Sequence, residues 1–311
     1  MDTPENQVTP NEWSSAACHE LLGLRATTPG WGYRQGARPS VEPTALAGLG
    51  LVASLKASDD SAVRAAADWL ASIQNQDGSM GLSAGQTSPC WTTPYALLFW
   101  NALPGFEKAR QRAATWLLQQ RGRTNSADSD PDHVIGHDPT LVGWPWVTDT
   151  HSWLEPTAIS ILALSREGYG DHPRVREGVR LIIDRALPDG GWNYGNRSAF
   201  GNVLRAQPGP TGLALLALAE ADGSSKVVEK GVQYLRKTLP TTRAPASLGW
   251  GVLGLRSWKE DAAESNLWLA ESYQRTAGRP DAAMRLALLL LAGGEASLPL
   301  LVGNSKGGRR G

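Results

Sequence analysis

The 311-residue chain has 30 basic and 30 acidic residues and no formal net charge at pH 7, which argues against nucleic acid as a partner. Two cysteines, Cys18 and Cys90, cannot build a disulfide framework and point to a reducing compartment. The opening MDTPENQVTP is acidic and polar, so no secretory signal is expected and the expected location is cytoplasmic.

In chain order, amphipathic segments alternate with runs that are apolar all round. The amphipathic segments lie near 11–25, 59–75, 105–121, 172–187, 225–238 and 258–276, and SAVRAAADWLASIQ and SKVVEKGVQYLRK are typical of them. Each has an apolar stripe at helical spacing and a charged face. The apolar runs start near Val41, Trp91, Leu154, Pro210, Gly249 and Ala282. A helix apolar on every side is buried, and these runs are about half the roughly 20 residues that span a bilayer. A polar helix followed by a buried one, repeated at a period near 50 residues, is a repeat architecture. It predicts an all-α (α/α)6 toroid: six inner helices in a ring, six outer ones around them, and a central cavity. One domain is expected over residues 1–303, with a disordered basic tail at 304–311, where KGGRRG closes the chain.

Two inner runs open alike. VEPTALAGL begins at Val41 and LEPTAISILAL at Leu154. Proline suits the first turn of a helix and pushes the residue before it toward extended geometry. Glu42 and Glu155 are therefore expected as cap residues, with Pro43 and Pro156 opening the helices. If all inner helices start at one end, both carboxylates lie on the rim of one cavity.

Candidate chemistry gathers just before the second copy, in DTHSWLEPT. Glu155 is the candidate proton donor, with Asp149 and His151 supporting it; a carboxyl beside Trp153 in a closed cavity is desolvated and holds its proton. The bland alternative is that Glu155 caps its helix and His151 bonds a loop carbonyl. There are 13 Trp against 3 Phe, and many stand in Gly-Trp phrases in the loops leading into inner helices. Trp91, Trp144, Trp146 and Trp153 are candidates for shaping the cavity, with Trp31, Trp192 and Trp250 in the same cluster and Trp192 read as packing. Glu42 and Arg205 complete the candidate binding residues. The run DSDPDHVIGHD, from Asp128 to Asp138 with His133 and His137, sits in the longest connection, 121–150. It reads as a solvated loop first, a lid second and a metal site last.

QNQDGSMG from Gln74 and LPDGGWNYG from Leu187 resemble the Gln…Gly-x-Trp repeat of the prenyltransferase/squalene cyclase superfamily. They align at a constant offset of 112 positions, with Gly78 on Gly190 and Met80 on Trp192. Lys230-Gly231-Val232-Gln233-Tyr234-Leu235 matches the front half of that repeat. The resemblance spans roughly residues 31 to 290. It implies the same α/α toroid and a squalene–hopene cyclase-like single domain acting on an isoprenoid chain or another apolar small molecule. Aligned on Thr157, Glu155 falls where the cyclases carry the protonating Asp of an Asp-x-Asp-Asp-Thr run, and Trp153 and Pro156 replace the flanking acids. The zinc set of the protein prenyltransferases is absent, since Ser88 stands two residues before Cys90 where they carry Asp. No cofactor, no metal and no obligate protein partner are expected; peripheral contact with a membrane is left open. Two alternatives stand beside the cyclase-like enzyme. One is a non-catalytic toroid that binds lipid or peptide. The other is a glycan enzyme using Glu42 and Glu155 as paired carboxylates.

Overall fold

The structure is a computed structural model and describes residues 12–55, 61–126, 136–219 and 226–294. Among them are twelve α-helices and one two-stranded hairpin. The inner helices are α2 (Val41–Leu55), α4 (Thr93–Asn101), α6 (Leu154–Leu164), α8 (Pro208–Ala219), α10 (Pro245–Ser257) and α12 (Ala283–Gly293). The outer helices are α1 (Trp13–Gly23), α3 (Ser61–Ser72), α5 (Glu107–Gln119), α7 (Pro173–Asp184), α9 (Lys226–Thr238) and α11 (Ser265–Thr276). Each inner helix packs on the next, and α12 packs on α2, which closes the ring. Each outer helix spans the seam between two inner ones, and α1 meets α11 and α12 at the closure. The fold is the expected all-α (α/α)6 toroid. The basic tail at 304–311 lies outside the described residues.

The inner helices owe their burial to a lack of charge: every residue of α6 but Glu155 is buried, from Leu154 to Leu164. Ring closure depends on glycine. A Cβ on Gly212 of α8 would overlap the Trp250 carbonyl of α10, and Gly254 of α10 faces Gly212 in return. A Cβ on Gly50 of α2 would likewise sit 2.7 Å from the Ala287 carbonyl oxygen of α12. These close approaches narrow the ring. Phe99 of α4 is fully buried and fills the space left by Gly48 at the seam of α2 and α4.

Gly-Trp phrases lock the two layers. The backbone N–H groups of Trp31, Trp144 and Trp192 each donate to a threonine hydroxyl, on Thr44, Thr157 and Thr211, at 2.9, 2.9 and 3.0 Å. Their indole N–H groups donate to the last turns of outer helices, at the carbonyls of Leu21, Leu117 and Ile182. The Met80 N–H bonds Thr93 Oγ1 at 2.9 Å in the copy where Met replaces Trp. Gly178 and Gly231, on the next outer helices, make room for the Trp144 and Trp192 rings; a Cβ on either would sit 2.7 Å from an indole carbon. Trp144 is thus a wedge between layers, with the Arg174 guanidinium 3.6 Å over its ring.

Three helix starts differ from expectation. The carboxylates are not caps: α2 starts at Val41 and α6 at Leu154, so Glu42 and Glu155 are second helical residues. The cap of α6 is Trp153, in extended geometry. Proline fits one position further in because the first four helical N–H groups have no partner inside the helix. In turn α10 starts at Pro245, four residues before Gly249, which places Trp250 in its second turn rather than in a loop.

Candidate active site

The threonine lock sets which side of each inner helix faces the ring centre. Successive helical residues are about 100° apart, so the residues two before and two after each Thr lie about 160° around the helix from it. With Thr turned to the outer layer, those two positions turn inward. In α2 they are Glu42 and Leu46, in α6 Glu155 and Ile159, in α8 Gly209 and Leu213, and around the start of α4 Trp91 and Tyr95. This is why Glu-Pro-Thr occurs twice. The threonine is architectural, the proline suits the first turn, and the glutamate is free to face the centre.

There it lines a cavity of about 180 Å³. Glu42, Tyr95 and Glu155 come from α2, α4 and α6; Pro210, Trp250 and Met284 come from α8, α10 and α12, with Tyr194 at the rim. The cavity is two-faced, with acid on one side and hydrocarbon on the other, and among the described residues no basic side chain lines it. The Tyr95 hydroxyl donates to Glu155 Oε1 at 3.1 Å. The Tyr33 hydroxyl donates to Glu42 Oε2 at 2.7 Å, and the Trp91 indole N–H reaches the same oxygen at 3.4 Å. Tyr95 is buried, whereas Tyr33 is partly exposed.

Burial, then the negative charge of Glu42, push the Glu155 carboxyl up to about 7, against the pull of the Tyr95 hydrogen bond. Glu42 is raised as well, chiefly by burial, with Tyr33 and Trp91 opposing. The helix N-termini favour both charges by about 0.3–1 kcal/mol when exposed, too little to offset desolvation. Glu155 is therefore part-protonated near pH 7, and its carboxyl lines the cavity.

Of the other candidates, only Trp91 touches the cavity, through its indole N–H on Glu42. His151 is exposed, with Nδ1 3.2 Å from the Arg123 carbonyl oxygen. Asp149 is exposed and sits in left-handed backbone geometry, φ 64°. Neither lines the cavity, and the structure does not bring them to the Glu155 carboxylate. Trp91, Trp144 and Trp146 line a separate crevice of about 10 Å³, hardly room for one water; the Trp91 and Trp146 rings meet edge to face at 5.4 Å. Trp153 is partly exposed and lies against Gly195. Arg205 is exposed, and its carbonyl accepts from Asn193 Nδ2. In the 121–150 connection, residues 127–135 lie outside the described residues, and the rest is irregular. The Asp138 N–H there bonds Asp184 at the end of α7. Among the described residues no three His, Cys, Asp or Glu side chains cluster as metal ligands, and no helix is long and apolar enough to cross a membrane. Tyr33, Tyr95 and Tyr194 were not singled out in the sequence. Counting two residues on from each lock threonine would have found Tyr95, whereas the loop residues Tyr33 and Tyr194 carry no such signal.

No family model and no curated protein matches the chain. Solved structures do. The type II terpene cyclase MstE from Scytonema superposes with a TM-score of 0.60 at 18% identity, covering 88% of this chain and 80% of that one. A protein from Actinoplanes gives a TM-score of 0.58, also at 18% identity, over 88% and 82%. An α-1,6-mannanase, GH76A of Salegentibacter, gives a TM-score of 0.62 at 11% identity, over 92% and 98%. The chain shares the α/α toroid fold with terpene cyclases and glycoside hydrolases alike.

Proposed function

We propose that the protein is an acid–base enzyme that transfers a proton to an apolar, unsaturated small molecule of isoprenoid type, with Glu155 as donor. The observation that carries this reading is a proton-holding carboxyl facing a hydrocarbon wall across one small cavity. Glu155 gives its proton to one carbon of a double bond, and the neighbouring carbon becomes cationic. The two carboxylates then face that cation, and the Tyr95 and Trp250 rings add cation–π attraction, on the order of 2 kcal/mol for a desolvated contact. Loss of an adjacent proton to the carboxylate pair completes the reaction. Tyr95 and Tyr33 orient the carboxyls, while Asp149 and His151 remain outside the step. The structural likeness to MstE, a variant of which has been solved in complex with geranylgeranyl dihydroxybenzoate, agrees with this reading.

Two carboxylates in one cavity also favour paired-carboxylate chemistry on a glycan, and the mannanase likeness is of the same fold. The lining opposes it. Sugar hydroxyls facing Leu213, Met284 and Leu288 would be desolvated without partners. The two readings part on turnover in D₂O. With isoprenoid alcohols, the proposed enzyme gives a product with solvent deuterium on carbon, and Glu155→Gln lowers the rate by about 10²-fold or more. Hydrolysis of mannosides with no such product would overturn the proposal.

A further inference from the structure

The cavity is one helical turn deep. Its mouth is formed by first-turn residues Glu42, Gly209, Ala246 and Met284. Its floor is formed by the residues four positions further along the same helices: Leu46, Leu213, Trp250 and Leu288. Four residues rise about 6 Å. The volume agrees with that depth. A dry apolar cavity of about 150 Å³ holds a benzene ring, and pockets that enclose drug-sized ligands run to about 300–1,000 Å³; this one is about 180 Å³.

One stretch of the rim carries exposed apolar side chains. Tyr194, half exposed, lines the mouth. Four residues later the hairpin of β1 (Ser198–Ala199) and β2 (Asn202–Val203) carries Phe200 at its tip, 92% exposed, and Val203, 59% exposed. The chain between Tyr194 and Gly209 thus leaves the cavity wall, passes through this apolar hairpin and returns to the wall.

We infer that the cavity takes only one end of an apolar chain, a single branched unit the size of isoprene, with the remainder of the chain lying outside the mouth along Tyr194 and the Phe200 hairpin. Trp250 sets the limit, because it is the largest side chain of the floor. The inference rests on the proposed function for the nature of the ligand. It narrows that reading: only the terminal double bond of a longer chain reaches Glu155, and a polyene cannot fold into several rings inside.

The test is equilibrium binding of prenol, geraniol and farnesol to the full chain, read by tryptophan fluorescence. A fully buried methylene is worth about fourfold in affinity, so burial of a second isoprene unit would tighten binding by on the order of 10²–10³-fold. The expected ratio of prenol to geraniol dissociation constants is less than about tenfold, with farnesol close to geraniol. Trp250→Ala removes the floor and should raise that ratio at least about tenfold. Ala246→Leu fills the mouth from the first turn of α10 and should weaken all three alcohols by about tenfold or more, which keeps the test decisive if Trp250→Ala does not fold. A wild-type ratio above about 10², no binding at all, or binding untouched by Ala246→Leu would overturn the inference. Binding with the expected pattern but no turnover of any alcohol would sink the proton-transfer reading and leave this one standing.

Discussion

Glu155→Gln tests the electrostatics of the cavity without any knowledge of the substrate. The change keeps shape and an oxygen that can accept from Tyr95, and removes the ionisation. In the folded protein Glu155 titrates at about 7, against an ordinary value of 4.5. Its folded pKa is raised, so the native state holds the proton more tightly than the unfolded chain does. That contribution to stability is fully present below about pH 4.5. It is lost progressively as pH rises through the folded value near 7 and is gone above it. One unit corresponds to about 1.4 kcal/mol, so the loss is on the order of 3 kcal/mol. Urea unfolding of wild type and variant, measured from pH 5 to 8.5, gives the difference directly, because groups unaffected by the substitution cancel. Relative to Glu155→Gln, the wild type should lose on the order of 2–3 kcal/mol between those limits, and the variant should be the more stable protein at pH 8. Parallel stability curves, within about 0.5 kcal/mol over the whole range, would refute the claim that Glu155 is desolvated beside a second carboxylate.

Three further outcomes are expected. Glu42→Gln removes the charge next to Glu155, so the Glu155 titration, followed by ¹³C NMR of labelled glutamate, should move below about 7; an unchanged midpoint would show that the two carboxyls do not interact. Gly212→Ala drives a Cβ into the Trp250 carbonyl at the crossing of α8 and α10 and should cost about 2 kcal/mol or more, with a fall in the urea midpoint; a neutral effect would mean the helices are further apart than described. His151→Ala should leave stability within about 0.5 kcal/mol and the Glu155 midpoint in place, since His151 is exposed and bonded to Arg123; a shifted midpoint would place His151 in the proton equilibrium after all.

Much of the architecture is local, and so was legible in the sequence. A run such as LEPTAISILAL has no charged residue beyond its first turn, and it can only be an inner helix. SKVVEKGVQYLRK has a charged face and can only be an outer one. Their alternation and period dictate the toroid, and Glu42 and Glu155, in equivalent places of equivalent helices, had to approach one rim. What the tertiary structure decided is everything that depends on distance between segments far apart in the chain. Asp149 and His151 are close to Glu155 in sequence, yet the loop turns them to solvent, because the Trp144–Thr157 bond and the Trp153 N–H bonding the Trp144 carbonyl fix the chain entering α6. Tyr95 lies 60 positions from Glu155 and yet bonds it, because α4 and α6 are neighbours in the ring. The size of the cavity also has no local signal. It follows from how closely Gly212 and Gly50 let backbones approach, contacts that exist only once the ring has closed.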